Sequence, residues 1–293
     1  MKYRRRRLLV LKRKHIRIII IIAAVIAAAV VLALVTQANA RRSEKQSAVA
    51  AVAARGMISI GLRGDLGALC TYNEETGAFE GLEKDVAEEI VARLFPDGII
   101  VNFVRVNSET KDSELRRGAL DMSLGASVDM GKSGISYTEP FFADASVILV
   151  QGGQITDIAQ LNGKVIAVVQ NSVLAASSEK DKDVNILEEY LGKLGLDVTV
   201  KKYASYPEAV DALKIGAVSG IAASELNLKR FGLKGMLLLP ERFLPSRYCV
   251  QVRSDLGAFS QAVSDCIDEM RRDGTLAALA EKWNLVDYSA LGS

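Results

Sequence analysis

Histidine occurs once, at His15, and this removes much of the usual catalytic chemistry from the rest of the 293-residue chain. Beyond residue 15 there can be no imidazole general base, no Ser-His-Asp relay and no His-ligated metal. Three cysteines remain, Cys70, Cys249 and Cys266, and no two are close enough in sequence for a zinc ribbon or a CxxC redox pair. One disulfide with a free thiol, or three buried thiols, both fit an exported protein; the second is preferred. Two glycine patterns suggest phosphate. Ala126 followed by Gly131-Lys132-Ser133 fits a permissive phosphate loop, but Gly134–Pro140 does not read as the helix such a loop requires. Gly61, Gly64 and Gly67 have the wrong spacing for a dinucleotide loop, and a polar loop follows them. No cofactor is expected.

The formal charge of +2 hides a division along the chain. Nine of the 37 Lys and Arg residues, from Lys2 to Arg17, precede an apolar run and have no acid among them. Beyond residue 40 the remaining 28 face 35 acids, which leaves about −7. A nucleic-acid footprint is therefore not expected on that part. Ile18–Val35 is an unbroken apolar run of 18 residues. At about 1.5 Å per residue it spans roughly 27 Å, close to the thickness of a bilayer core. The basic cluster before it should stay in the cytoplasm, placing the bulk of the chain outside. An uncleaved anchor is the preferred reading. Ala38-Asn39-Ala40 also fits a small-x-small cleavage site, which would release the protein after Ala40. Residues 37–56 read as a tether with some helical tendency.

The elements that position any site alternate in type. Ile58–Leu62 reads as a strand ending in glycines. Leu82, Val86, Ile90, Val91 and Leu94 fall at helical spacing, with Pro96 closing the segment. Ile99–Val106 reads as a strand, Glu109–Arg117 as a short helix and Asp121–Leu124 as a strand. The rhythm repeats with a strand at Lys164–Val169, a helix at Asn185–Leu194 and a strand at Val198–Lys202. A helix follows at Pro207–Leu213 and a strand at Val218–Ala222. Ser146–Val150 and Tyr248–Val252 are placed to carry the chain between two halves, and Phe259–Arg272 and Leu276–Trp283 close it as helices. Such alternation predicts α/β lobes with mostly parallel sheets covered on both faces.

Several short motifs resemble family-3 extracellular solute-binding proteins, and they occur in that family's order over residues 57–285. Gly77–Ala87 is similar to "dGkltGfdvDla", Tyr137–Phe142 to "fSdPyy", and Leu161–Val168 to "LkGkkvgv". Asp273-Gly274-Thr275-Leu276 with Glu281-Lys282-Trp283 is similar to "dGtl…kW". Tyr137–Phe142 also reads on its own as a bend with an aromatic anchor. The resemblance implies a two-lobed, type II periplasmic-binding-protein-like clamp, here preceded by one transmembrane helix. It implies capture of a small polar solute for ABC permease subunits, with no reaction. A monomer is expected.

Three departures concern the ligand, the first being that Gly67-Ala68-Leu69-Cys70 stands where many members carry an aromatic that stacks on the ligand. Members that bind amino acids carry an Arg after the equivalent of Leu124, a bidentate fork for the α-carboxylate. Here Gly125–Ser136 holds no Arg, and Lys132 is the nearest cation. The family Asp that holds the ammonium is replaced by Ser224-Glu225. The implied organisation is a basic tail at 1–17, an anchor at 18–36 and a tether at 37–56. Lobe 1 follows at 57–149 and 243–293, with lobe 2 at 150–242. The implied ligand contacts are Asp65, Leu69, Gly125, Ser127, Asp129 and Lys132 from lobe 1, and Asn171, Ser172, Ser224 and Glu225 from lobe 2. Two further readings share the fold. One is a ligand-sensing or partner-binding protein. The other is a dehydratase-like enzyme, which would need a carboxylic acid of raised pKa in a closed cleft, such as Glu225, Asp129 or Asp65.

Overall fold

A computed structural model describes residues 2–170, 172–178, 181–232 and 234–291, with side chains from Ile22 onward. Its elements run α1 (Lys2–Ala53), β1 (Met57–Arg63), β2 (Thr71–Asn73), β3 (Ala78–Glu80), α2 (Leu82–Leu94), β4 (Ile100–Val106), α3 (Lys111–Arg116), β5 (Met122–Ser123) and β6 (Ile135–Gln151). They continue with β7 (Val165–Val169), α4 (Ile186–Lys193), β8 (Thr199–Tyr203), α5 (Tyr206–Lys214), β9 (Gly220–Ser224), α6 (Glu225–Lys229), β10 (Met236–Leu238), β11 (Phe243–Arg253), α7 (Gly257–Arg272) and α8 (Thr275–Lys282).

The main sheet runs β4-β1-β5-β11-β6-β9-β7-β8, with β10 alongside β6. Each end is parallel, β4-β1-β5 on one side and β9-β7-β8 on the other. The two long middle strands β6 and β11 pair antiparallel with each other and with their outer neighbours. They contain the two segments expected to link the halves. Their register slips at three places, between Phe243 and Ser246, Tyr248 and Cys249, and Cys249 and Gln251. Such bulges bend and twist a ladder where one layer must become two.

Two separate sets of buried side chains follow from this order. One gathers Ile58, Ile60, Leu62, Val86, Ile90, Phe142, Val250, Phe259 and Ile267 beneath α2 and α7. The other covers both faces of the second half, with Ile166, Val168, Leu187 and Leu191 on one face and Ala209, Leu213 and Leu228 on the other. The fold is thus a two-lobed α/β clamp. Tyr137–Phe142 is not a bend. It lies inside β6, where Phe142 is buried and stacks on Tyr248 with ring centroids 6.2 Å apart.

Two motifs lock lobe 1 together. Gly81 precedes α2 with φ of 130°, and a Cβ there would lie 2.6 Å from the Leu69 carbonyl, so only glycine allows this tight turn. Asp85, in the first turns of α2, accepts from Lys282 Nζ and Trp283 Nε1, both at 2.7 Å. The distant "KW" motif therefore exists to tie α8 to α2.

The segment read as a tether is not loose. α1 continues without a break through the apolar stretch to Ala53. Its exposed side chains from Ile22 to Val35 give way to a face that packs on lobe 1, with Val52 only 4% exposed and Ala48 and Val49 against the same core. Lys45 pairs with Asp265 of α7, and Arg55 just beyond the helix pairs with Asp121 at 2.7 Å. Among the described residues, the stretch from Ile22 within α1 is apolar and long enough to cross a membrane, with a mean hydropathy of 2.1 over its best window.

Candidate functional site

Open α/β sheets bind ligands outside the carboxyl ends of their strands, here those of β1, β5, β7 and β9. Arg63, the last residue of β1, lies there and forks onto Asp65. Its Nε donates to Oδ1 at 2.9 Å and its Nη2 to Oδ2 at 2.7 Å. The arginine side chain is 19% exposed and the aspartate 55%, so the pair stands at a wet edge. Burial pushes the Asp65 carboxyl up. The Arg63 hydrogen bond and charge, with help from Arg230, outweigh it and hold it below the ordinary carboxylate range.

The loop after β5 forms the floor beneath Arg63. Gly125 has φ of 90°, and a Cβ there would lie 3.1 Å from the Arg63 stem, so glycine lets the arginine lie flat across the loop. Gly125 and Ala126 donate their N–H groups to the fully buried Glu83 carboxylate at 2.9 and 2.6 Å. Burial pushes the Glu83 carboxyl up to about 7, against those donors and the charge of Lys111. Lys111 Nζ donates to the Gly125 carbonyl at 3.2 Å and to Ser127 Oγ at 2.5 Å. Burial pulls its ammonium down to about 8, opposed by the charges of Glu83 and Asp112. Ser127 Oγ in turn donates to the Leu124 carbonyl at 2.9 Å. The loop is thus pinned from below by a buried acid and a buried base.

The segment after β8 carries a different set. Tyr206, at the start of α5, accepts from Asn227 Nδ2 at 3.3 Å. Its hydroxyl is pushed up by burial first, offset by the Asn227 bond and by the charges of Arg230 and Arg63. The charges of Arg63 and Arg230 both act on the Tyr206 hydroxyl, and that of Arg230 acts on Asp65. At the back stands Asp144 of β6. Its Oδ2 accepts from Leu226 N at 3.3 Å and from the Tyr248 hydroxyl at 3.4 Å. Burial raises the Asp144 carboxyl to about 6, and it raises the Tyr248 hydroxyl well above its usual range.

The sequence-derived candidates divide. Asp65, Gly125, Ser172 and Ser224 lie at the carboxyl ends of the strands named above. Ser172 Oγ is buried without a hydrogen-bond partner, and Ser224 Oγ caps α6 through Asn227 N at 3.4 Å. Ser127 is 2% exposed and already engaged beneath the loop. Leu69 is 3% exposed and packs in the lobe 1 core. Asp129 accepts from Gly131 N at 2.9 Å in its own turn, and Lys132 pairs with Asp112 at 2.6 Å. Glu225 is occupied on both oxygens, by Arg242 Nε at 2.7 Å, Lys229 at 2.8 Å and the Tyr288 hydroxyl at 3.0 Å. Burial raises its carboxyl, but these bonds overcome that and lower it. Glu225 therefore ties α6 to the chain end instead of standing free as a substitute for the ammonium-binding Asp. Asn171 lies outside the described residues. The three cysteines are free and buried.

Sequence reasoning missed Arg63, Lys111, Tyr206, Asn227 and Arg230. For Arg63 a signal existed, since it ends a parallel strand two residues before a carboxylate. For the others only the folded topology brings them together.

Comparison with known proteins adds the following. The family model described as bacterial extracellular solute-binding proteins, family 3, matches residues 58–286. The ABC transporter glutamine-binding protein GlnH of Bacillus subtilis (strain 168) is 23% identical over 253 residues, covering 83% of this chain and 87% of that protein. The L-cystine-binding protein TcyJ of Escherichia coli (strain K12) is 22% identical over 261 residues, covering 86% of this chain and 91% of that protein. A crystal structure of a mutant of ArgBP from T. maritima aligns with a TM-score of 0.57 at 19% identity, over 81% of this chain and 99% of that one.

Proposed function

Because this chain belongs to the bacterial extracellular solute-binding proteins of family 3, we propose that it captures a small, polar, amino-acid-like solute outside the cell. It delivers that solute to ABC permease subunits and carries out no reaction on it. The lobes are assigned to residues 57–149 with 243–293 and to residues 150–242, hinged through β6 and β11. The solute sits between them against Arg63, Asp65, Gly125, Ser172 and Ser224. Closure excludes water and strengthens each polar contact there.

The observation that carries this reading is the Arg63–Asp65 fork at the carboxyl end of β1, with Ser172 Oγ buried and unbonded just after β7. Tyr206, Asn227 and Arg230 belong to the segment assigned to the other lobe, and the Arg230 charge acts on Asp65. The relatives' roles in glutamine and cystine binding support the amino-acid class. The membrane-tethered placement is supported by the unbroken helix through Ala38–Ala40 and by the basic residues before it.

The test is thermal unfolding of the full-length chain in detergent micelles with a panel of amino acids and organic acids. A binder gains stability with rising ligand concentration, by about 2.7 kcal/mol at a hundredfold excess over Kd. A flat response to every solute, together with capture of a protein partner, would overturn solute capture in favour of a partner-binding role.

A further inference from the structure

We propose that the ligand of this crevice carries a carboxylate that binds the Arg63 fork, and that Asp65 fills that fork while the crevice is empty. The inference rests on the capture reading above and specifies its substrate class as anionic: acidic amino acids or small dicarboxylates.

A planar guanidinium offers two parallel N–H groups that match the two oxygens of one carboxylate. Here those oxygens belong to Asp65, at 2.9 and 2.7 Å. Asp65 is two residues away on the same strand end and more than half exposed, so it can swing into water when another carboxylate arrives. Arg63 cannot follow it. Its stem is pressed onto Gly125, and that loop is held by Glu83 and Lys111. The arginine is therefore the fixed partner and the aspartate the exchangeable one.

The charge balance at this space points the same way. Glu83 is spent on two backbone N–H groups, Lys111 on Gly125 and Ser127, and Asp144 on Leu226 and Tyr248. What remains beside Asp65 is the Arg63 fork, with the Arg230 charge also acting on that carboxyl. Among the described residues Arg230 holds only a 3.5 Å contact to Asn227 Oδ1. Two guanidinium charges thus act on one carboxylate, a net positive balance. A solute with one more carboxylate than ammonium neutralises it. The loop from Gly125 to Ser136 lacks an arginine, and the fork comes from β1 instead.

The experiment is isothermal titration of the full-length chain, and of R63M, R63K and D65N, with L-glutamate, L-aspartate, succinate, L-glutamine and L-arginine. The wild-type chain is expected to bind one of the first three more tightly than glutamine or arginine. R63M should lose about a hundredfold in affinity, and R63K, which keeps charge without the fork, about tenfold. D65N, which removes the internal competitor, should bind a simple dicarboxylate about tenfold more tightly. Circular dichroism melts show that each variant is folded, and the gain in D65N cannot come from misfolding. Preference for glutamine or arginine with R63M unaffected would refute the carboxylate assignment and leave solute capture standing. Binding of no solute by the wild-type chain would refute both.

Discussion

At the residue scale the site is built from side chains that face away from water to fix others that face it. Asp144 is one of the former, placed where β6 passes from lobe 1 to lobe 2. Its carboxyl is raised from 3.8 to about 6, chiefly by burial. The direction sets the sign. A raised folded-state pKa means the native protein holds its proton more tightly than the unfolded chain does. The stabilisation is thus full below about pH 3.8 and is lost as pH rises through about 6. Glu83 acts in the same sense over a slightly higher window, from 4.5 to about 7. The wild-type protein should therefore lose stability between pH 4 and 7. D144N preserves an acceptor for Leu226 N and Tyr248 while removing the titration. It should flatten that loss by on the order of 2–3 kcal/mol, leaving the part due to Glu83. Urea unfolding at pH 4, 5, 6 and 7 measures it, and parallel curves for the two proteins would show that Asp144 does not titrate in this range.

Legibility in the sequence also differs residue by residue. Asp65 was readable because it follows a glycine-broken strand end. Its partner Arg63 was overlooked despite its place two residues before that carboxylate, because the strand was read as ending at Leu62 and the cation was sought where the family carries one. Leu69, Asp129 and Lys132 were drawn toward the ligand because a loop residue's direction is set by the turn beneath it. Neither a core contact nor the Asp112 pairing leaves a mark on local sequence. Glu225 shows the same limit more sharply. Its partners Arg242 and Tyr288 lie 17 and 63 residues away.

At the element scale the βα alternation, the two linking strands and the closing helices were all visible as periodicity, since each buries a regular face. The end of α1 was not. Gln46–Ala54 is nearly all alanine and valine, with little contrast between faces, so no stripe announced that one side would be buried. Yet Val52 is 4% exposed in the lobe 1 core, and Lys45 and Arg55 pair with acids of that lobe. This helix end is therefore part of the domain, although the matched family region begins at residue 58. A soluble chain starting at residue 57 should unfold at lower temperature than one starting at residue 41, by several degrees. The deleted turns pack Ala48, Val49 and Val52 on the lobe 1 core, and each lost aliphatic contact costs about 1–2 kcal/mol. V52D in the longer chain should reproduce most of the drop. Equal melting temperatures for the three would mean that the docked turns contribute nothing.

At the scale of the whole molecule, docking of α1 decides which lobe moves. The helix is joined to lobe 1 through Val52, Lys45 and Arg55, whereas lobe 2 is linked through the Glu225–Tyr288 bond and through β6 and β11, whose ladder is broken by three register shifts. Bulged strands flex more readily than a helix seated in a core, so ligand-driven closure should swing lobe 2 while lobe 1 stays fixed to α1. The native cysteines favour a direct measurement. All three are buried, and burial raises their thiols, Cys249 to about 11 and Cys266 to about 12, so they react poorly with labels. Spin labels placed by A51C on α1, I100C on the exposed edge of lobe 1 and I215C beyond α5 on lobe 2 would report two distances. Saturating ligand should shorten or redistribute the 100–215 distance and leave the 51–100 distance unchanged. A change in the second distance would mean that lobe 1 rocks on its anchor, and the clamp would then close by a motion of both lobes relative to the membrane helix.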